Sequence, residues 1–189
     1  EVYSVPRVAT AAKRMGLTAG WALDLCTCDE TGRPWDFSKV EMRNKAARKL
    51  VEDKPLFLIG SPPCTDWSTL MNLNWPRMQR EEVDRRKALA RVHLEFCAKL
   101  YKIQHEAGRY FLHEHPAQAS SWQLKVVEEL LREPGVGKST CDQCQYGCES
   151  EKGSPIKKPT SFLTNAPELS KELEARCLGR HGQCSRDGG

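Results

Sequence analysis

The stretch LFLIGSPPC, at Leu56–Cys64, is the most informative part of the sequence about its fold. Leu56–Ile59 is an apolar run of strand length, and Gly60 and the prolines after it end the run. An apolar run bounded in this way predicts a buried strand of a parallel sheet. Ligands of open α/β sheets bind beyond the carboxyl ends of such strands, so we expect the residues after Ile59 to line a functional site.

Cys64 stands on a stiff turn at this position. Pro62 and Pro63 restrict φ and disfavour a helix at the residue before each of them, so the thiol is held outside regular structure. A thiol presented on such a turn is a candidate nucleophile. The alternative is a small apolar residue packed at the end of the strand, because free cysteines are among the most buried residue types.

The composition predicts one domain with one hydrophobic core. The chain has 189 residues, of which 39% are hydrophobic and 29% are charged, and this length is sufficient for one substantial core. No apolar run approaches the roughly 20 residues that span a bilayer, so we expect no membrane association. The net charge of +4 permits a polyanionic partner such as a nucleic acid.

The cysteine content indicates the redox compartment of the protein, and the first residue indicates whether the chain is part of a larger one. An odd number of cysteines, nine, fits a reducing compartment better than a disulfide framework. We therefore expect mostly free thiols and an intracellular location, either nuclear or cytoplasmic. The chain begins at Glu1 rather than at Met, without the pattern of a signal peptide. We expect it to be a piece of a larger protein, such as a polyprotein.

Strand and helix patterns alternate along the chain. Strands are predicted at Val2–Ser4, Gly20–Leu25, Leu56–Ile59 and Tyr110–Leu112, and helices at Val8–Met15, Lys39–Glu52, Arg80–Ala107 and from Ser120 or Ser121 to Leu131. This alternation predicts an α/β fold with a doubly wound, mostly parallel sheet. We expect residues 1–140 to form the core, and the Cys-rich segment 141–189, with a late strand, to complete it.

A second functional side chain is predicted where the apolar strand Tyr110–Leu112 runs into His113, Glu114, His115 and Pro116. A carboxyl group in a partly dry pocket has a raised pKa and can donate a proton or hydrogen bond at neutral pH. Two reactive groups, each after a strand, predict a shared pocket at the carboxyl edge of the sheet. The alternative for Glu114 is an ion pair with a neighbouring Arg or His.

These motifs resemble those of the DNA cytosine-5 methyltransferases, especially the compact phage-like members. GSPPC, at Gly60–Cys64, resembles the Pro-Cys nucleophile loop of that family, and HEHP, at His113–Pro116, stands where the family carries Glu-Asn. QYG at Gln145–Gly147 and KKPTSFLTN at Lys157–Asn165 resemble its late motif and strand. The resemblance covers most of the chain and implies a Rossmann-like methyltransferase fold, with a catalytic core over residues 1–140 and no full target-recognition domain.

The reaction that the resemblance implies is transfer of a methyl group from S-adenosylmethionine to carbon 5 of cytosine in DNA. The Cys64 thiolate would add to carbon 6 of the ring, and Glu114 would contact nitrogen 3. RNA is the less favoured substrate. The target base would have to be flipped out of a duplex or be single-stranded. The alternative is a catalytically inactive nucleic-acid-binding module that keeps the methyltransferase fold.

The cofactor site that the resemblance implies lies around the first turns of the chain. Asp24 would hold the ribose hydroxyls of S-adenosylmethionine, Asp36 would hold the adenine amine, and Ser4 and Pro62 would line the site. Without the resemblance, either aspartate is interpreted as a turn or helix-entry residue. Where the family has a glycine-rich first turn, this chain has Ser4–Arg7, which lacks the glycines that let a backbone approach the cofactor closely.

Basic residues near the late strand are candidates for contacts with a nucleic-acid backbone. Lys157 and Lys158 come directly before it, and lysines bind phosphate without reading sequence. The alternative is that both are ordinary solvated charges.

A Cys-rich cluster lies toward the end of the chain. Cys141 and Cys144 are separated by two residues, and Cys177 and His181 by three, with Cys148 and Cys184 nearby. Two such pairs predict a tetrahedral zinc site formed by Cys141, Cys144, Cys177 and His181. The alternatives are free thiols or an adventitious disulfide. A structural zinc there would hold the end of the chain against the sheet.

Overall fold

The computed structural model describes residues 1–180 and 183–187. The helices are α1 (Arg7–Arg14), α2 (Val40–Asp53), α3 (Met71–Asn74), α4 (Arg80–Glu106), α5 (Lys125–Leu131) and α6 (Pro167–Glu172). The strands are β1 (Phe57–Gly60), β2 (Tyr110–Pro116), β3 (Gly137–Asp142) and β4 (Pro159–Thr164). Short 3₁₀ turns lie between several of them, one at Thr65–Trp67, directly after Cys64, and another at Gln143–Tyr146.

The four strands form one mixed sheet in the order β1-β2-β4-β3. β1 and β2 are parallel, whereas β4 runs antiparallel to both of its neighbours. The predicted α/β class is therefore confirmed, but these four strands do not form the mostly parallel sheet that was expected. The physical reason is the connection 143–158, which contains a 3₁₀ turn and a bridge between Glu149 and Pro155 instead of the helix that usually joins parallel strands.

The N-terminal residues extend this sheet beyond β1. Val2 forms parallel bridges with Gly60 on one side and Leu23 on the other. The Val2 amide donates to the carbonyl of Ile59 at 2.8 Å, and the next amide donates to the carbonyl of Leu23 at 2.9 Å. The order of the bridged segments therefore reverses at Val2, since the chain leaves it on one side and returns through β1 on the other.

The strand predicted at Gly20–Leu25 is reduced to the single bridge at Leu23. A turn begins directly after this residue. The Asp24 amide donates to Oγ1 of Thr27 at 2.9 Å, and Oδ1 of Asp24 accepts from the Cys26 amide at 3.0 Å. Because aspartate and threonine side chains satisfy the backbone locally, the chain turns away from the sheet here.

Helix α4 forms the centre of the helical layer. It packs on β1 and β2, and α2 and α5 pack on α4. The prediction of this helix was correct to within one residue at its end. The side chains that α4 buries are those of Ala90, Leu94, Phe96, Cys97, Ala98, Leu100, Tyr101 and Gln104.

Among the residues that the structure describes, no helix combines the length and apolar character needed to cross a membrane.

Two strand features differ from the sequence prediction. β2 continues through HEHP to Pro116, so Glu114 lies within the strand, paired with Phe162 of β4, rather than after its end. β3 was not predicted, and the expected boundary at residue 140 falls inside it. Both features depend on β4, which pairs with β2 and β3 from a distant part of the sequence.

Gly60 allows α4 to pack closely against β1. A Cβ atom at this position would lie 2.0 Å from the hydroxyl oxygen of Tyr101, a fully buried side chain of α4. We expect Gly60→Ala to lower the free energy of unfolding by about 1–3 kcal/mol, as overpacking of a core does. Urea unfolding measures this as a lower midpoint with an unchanged slope. The control is Gly137→Ala in β3, where a Cβ meets nothing within 4 Å; equal losses for both variants would contradict the assignment.

Candidate functional site

The loop after β1 positions Cys64 above the end of the sheet. The Ser61 amide donates to the carbonyl of Val2 at 3.2 Å, which holds the start of the loop on the neighbouring N-terminal stub. Pro62 is buried, whereas Cys64 is partly exposed. The carbonyl of Cys64 accepts a hydrogen bond from the Trp67 amide at 3.1 Å as the 3₁₀ turn begins. The thiol therefore lies on a fixed turn and remains accessible to a ligand.

Glu114 contacts this loop from the adjacent strand. Gly60 of β1 is in register with His113 of β2, so Glu114 lies just beyond the end of β1, and its carboxyl group lies beside the side chain of Ser61. Burial raises the pKa of Glu114, and the charge of Lys158 and the contact with Ser61 only partly oppose this shift. The carboxyl group therefore keeps its proton to higher pH than an exposed glutamate.

His113 and His115 lie on the opposite face of β2 from Glu114, since side chains alternate along a strand. Nδ1 of His115 is hydrogen-bonded to Oγ of Ser121 at 2.7 Å. Nδ1 of His113 is hydrogen-bonded to the Tyr101 hydroxyl at 3.1 Å. Nε2 of each ring is buried without a hydrogen-bonding partner within the described part of the chain.

Both histidines are neutral over most of the pH range. Burial is the main cause: it lowers the pKa of His115 from 6.5 to about 4, although the carbonyls of Pro62 and Pro63 favour the charged form. The pKa of His113 is also well below its usual value because of burial and the neighbouring His115. His115 thus lies beside the carbonyls of Pro62 and Pro63 in the Cys64 loop as an uncharged ring.

The protein is expected to lose stability as the pH falls from 6.5 to about 4. In this window the unfolded chain protonates His115 while the native protein does not, so the unfolded state binds more protons and acid favours it. The shift corresponds to roughly 3 kcal/mol from this group, and His113 adds to it in the same direction. Urea unfolding at several pH values measures the loss. His115→Gln should flatten the pH dependence, and an unchanged dependence would contradict this account.

The segment after Cys64 carries an aromatic side chain beside basic ones. The Arg86 guanidinium lies 5.5 Å from the ring centroid of Trp75, and the Lys87 ammonium lies 5.2 Å from it. Arg86 also forms an ion pair with Asp66, two residues after Cys64. Sequence analysis missed this cluster because its members are separated in sequence and meet only when α4 packs beside the loop.

The predicted cofactor residues are partly engaged in local hydrogen bonds. Oδ1 of Asp36 accepts from the amide of Ser38 at 3.0 Å and from its hydroxyl at 2.6 Å. Oδ2 of Asp24 accepts no hydrogen bond from any residue that the structure describes, whereas Oδ1 holds the turn. Ser4 donates its hydroxyl to Oε2 of Glu1 at 3.0 Å.

The hydrogen-bonding groups of the predicted cofactor residues fit the adenosyl half of S-adenosylmethionine better than its other half. Asp24 has a carboxylate oxygen to accept a ribose hydroxyl, and both aspartates can accept from the adenosyl half. The first turn of α1 is different: its Ala9 amide donates to Oε1 of Glu1 at 2.7 Å. A carboxylate of the chain itself therefore lies at this helix start, where a cofactor anion would otherwise be favoured.

The two predicted nucleic-acid lysines have different neighbours. The Lys158 charge lies near Glu114 and favours its ionised form. The Lys157 ammonium donates to the carbonyl of Cys177 at 3.3 Å, so it contacts the C-terminal segment. Both side chains belong to exposed residues. Only Lys158 lies beside the candidate site.

Three cysteines of the C-terminal part form a thiol cluster: Cys144, Cys177 and Cys184. Their sulfur atoms lie within 4.8 Å of one another, close enough to share a metal ion. Cys144 and Cys177 were predicted ligands, whereas Cys184 replaces Cys141, which is buried in β3 outside the cluster. His181, the fourth predicted ligand, lies outside the described residues.

Comparison with known proteins yields no relative. No protein-family model, no curated protein and no solved structure matches the chain. The function proposed below therefore depends on the residues and contacts of this chain, together with the motif resemblance of its sequence.

Proposed function

We propose that this chain transfers a methyl group from S-adenosylmethionine to carbon 5 of cytosine in DNA, with RNA as the less favoured substrate. One observation carries the proposal: the carboxyl group of Glu114 lies beside the side chain of Ser61. This contact joins the acid on β2 to the loop that carries Cys64, three residues further on. A partly exposed thiol and a carboxyl group whose pKa is raised by burial are thereby attached to the same edge of the sheet.

The arrangement of the sheet supports this proposal. The bridged segments reverse their order at Val2, between Leu23 and β1. Such a reversal is the position at which open α/β sheets bind ligands, in the crevice beyond the carboxyl ends of their strands. Asp24 and Ser61 follow bridged segments that end near this position, and Glu114, within β2, lies just beyond the end of β1. This supports a Rossmann-like arrangement of the N-terminal half.

The chemistry assigned to the side chains is as follows. Cys64, as a thiolate, adds its sulfur to carbon 6 of cytosine, and the electron pair of the C5–C6 double bond moves toward carbon 5 and the N3–C4 region. Glu114 donates its proton in a hydrogen bond to nitrogen 3 and so stabilises the negative charge that develops there. After methylation, the proton on carbon 5 leaves to solvent, the double bond re-forms and the sulfur departs as thiolate.

S-Adenosylmethionine, when bound, supplies an electrophilic methyl group for carbon 5. Asp24 and Asp36 would hold its ribose hydroxyls and adenine amine, and Ser4 and Pro62 would lie along the same site. Ser4 can take part only if its hydroxyl leaves Glu1, to which it now donates. Binding of the cofactor is therefore assigned mainly to the carboxylates of Asp24 and Asp36.

The nucleic acid would lie over the partly exposed Cys64 loop. Carbon 6 of cytosine is inaccessible inside a stacked duplex, so the target base has to leave the stack. Lys157 and Lys158 are assigned to the phosphate backbone, and Trp75 with its two basic neighbours offers a stacking surface for a base.

A second candidate function is favoured by the first turn of the chain. The Glu1 carboxylate accepts from the Ala9 amide at the start of α1 and from Ser4. The Glu1 carboxylate already accepts a hydrogen bond from this helix start, where an anionic group of a cofactor would otherwise bind. This favours a nucleic-acid-binding module that keeps the fold without catalysis.

Two measurements on the same preparation distinguish the candidates. Calorimetric titration with S-adenosylmethionine measures cofactor binding, and transfer of a tritiated methyl group to cytosine-containing DNA measures the reaction. The enzyme proposal expects saturable cofactor binding and incorporation that depends on cytosine. Binding of DNA without any cofactor binding or methyl incorporation would overturn it in favour of the binding module.

A further inference from the structure

The thiol cluster of Cys144, Cys177 and Cys184 has the geometry of a metal site. The sulfur atoms of Cys177 and Cys184 are 3.9 Å apart, and all three lie within 4.8 Å of one another. Thiolates bound to one tetrahedral zinc ion, at about 2.3 Å from it, are separated by about this distance. Cys144 and Cys184 are buried, so a metal ion between them would be shielded from water.

Hydrogen bonds to sulfur surround the cluster. The Ser185 hydroxyl donates to Sγ of Cys177 at 3.7 Å. The Gln145 amide group donates to Sγ of Cys184 at 3.3 Å. Hydrogen-bond donors that point at sulfur favour thiolate, which is the form that binds metal, and they orient the ligand as supporting contacts of metal sites do.

Gly179 is required by this local backbone. A Cβ at Gly179 would lie 2.0 Å from the carbonyl oxygen of Gln183, so only glycine allows the backbone at these two positions to approach this closely. This close approach accompanies the 3.9 Å separation of the Cys177 and Cys184 sulfur atoms, although six residues lie between them in the sequence.

We propose that Cys144, Cys177 and Cys184 bind one zinc ion as thiolates and that this ion fastens the C-terminal segment to the sheet. Cys144 lies in the 3₁₀ turn directly after β3, whereas Cys177 and Cys184 belong to the segment that follows α6. The ion thus links two parts of the chain that are distant in sequence.

Other contacts show where this segment docks. The buried Asp142, at the end of β3, accepts from the Cys177 amide at 2.8 Å and from the Arg176 guanidinium at 3.0 Å. The Asp142 amide donates to the carbonyl of Ala175 at 3.0 Å. Zinc binding at the adjacent thiols adds folding free energy to a segment that otherwise has few buried apolar side chains.

Cobalt(II) titration of the metal-free chain tests the ligand set. Thiolate sulfur around tetrahedral cobalt gives intense visible absorption, and back-titration with zinc gives the affinity. Cys144→Ala, Cys177→Ala and Cys184→Ala should each weaken binding by more than the roughly 10–100-fold that loss of a supporting contact causes. Cys141→Ala and Cys148→Ala are the matched controls and should keep the spectrum and the affinity.

Three outcomes would overturn the proposal. The first is purified wild-type chain that takes up neither zinc nor cobalt under reducing conditions. The second is loss of binding in Cys141→Ala with binding retained in Cys184→Ala, which would favour the ligand set predicted from sequence. The third is a cobalt spectrum without thiolate character. Circular dichroism of each variant separates loss of a ligand from loss of the fold, and a variant that unfolds is replaced by Cys→Ser at the same position.

A chelator provides a readout that does not depend on substitutions. Removal of zinc from the wild-type chain should expose the segment around Arg176 and Arg180 to trypsin, while β2 and α4 stay protected. Addition of zinc should restore resistance. Equal cleavage of the segment with and without bound zinc would contradict the fastening role.

Discussion

Cys64→Ser is expected to lower the rate of methyl transfer to DNA by about 10⁴-fold or more, as loss of a catalytic nucleophile does. A serine hydroxyl fits the same turn but is not ionised near neutral pH, so it cannot add to carbon 6 of cytosine. The fold should not change, because the residue is partly exposed and its carbonyl, not its thiol, holds the 3₁₀ turn. Tritium incorporation under single-turnover conditions measures the loss.

A mechanism-based substrate sharpens this experiment. An oligonucleotide with 5-fluorocytosine at the target lacks the carbon-5 proton that must leave, so the wild-type chain should remain covalently attached to it. The adduct should be absent in Cys64→Ser and present in Cys148→Ser, a matched cysteine that is also partly exposed. An adduct that survives in Cys64→Ser would remove this thiol from the mechanism.

Glu114→Gln is expected to lower kcat by about 10²–10³-fold with a small effect on the KM for DNA, since donors aimed at developing charge contribute by about this factor. Glutamine has the same shape and can keep the contact with Ser61, so the strand pairing should persist. What it lacks is the proton that a carboxyl group shares with nitrogen 3. Steady-state kinetics would separate the effect on kcat from the effect on the KM for DNA. Glu151→Gln, at an exposed turn residue, is the control.

The pH profile gives a second readout for Glu114. Burial raises its pKa, so the group stays protonated to higher pH, and activity that needs this proton should fall on the alkaline side of the profile. Glu114→Gln should show its low activity without that alkaline decline. A full alkaline decline in the variant would assign the ionisation to another group.

Local patterns predicted the elements that depend on neighbouring residues. The apolar run bounded by Gly60 gave β1 to within one residue at each end, and the apolar periodicity gave the whole of α4. The stiff turn at Cys64 also followed from local residues, because proline acts through its own φ angle and that of the residue before it.

Features that depend on distant pairing were missed. Glu114 was expected after a strand, yet β4 pairs with HEHP and extends β2 across it. Cys184 was not in the predicted ligand set, because the spacing of cysteine pairs favoured Cys141. Whether Cys141 or Cys184 joins the cluster depends on side-chain alternation in β3 and on the close backbone approach at Gly179. Neither can be predicted from Cys spacing.

The two faces of β2 also restrict how this protein can change over evolution. Glu114 contacts Ser61, whereas the rings of His113 and His115 turn toward Tyr101 and Ser121 in the helical layer. One inserted or deleted residue upstream in the strand would exchange the faces, placing an acid among the buried side chains of the helical layer and removing the carboxyl group from Ser61. Length variation among descendants of this sequence should therefore accumulate in the connections and spare these seven residues of β2.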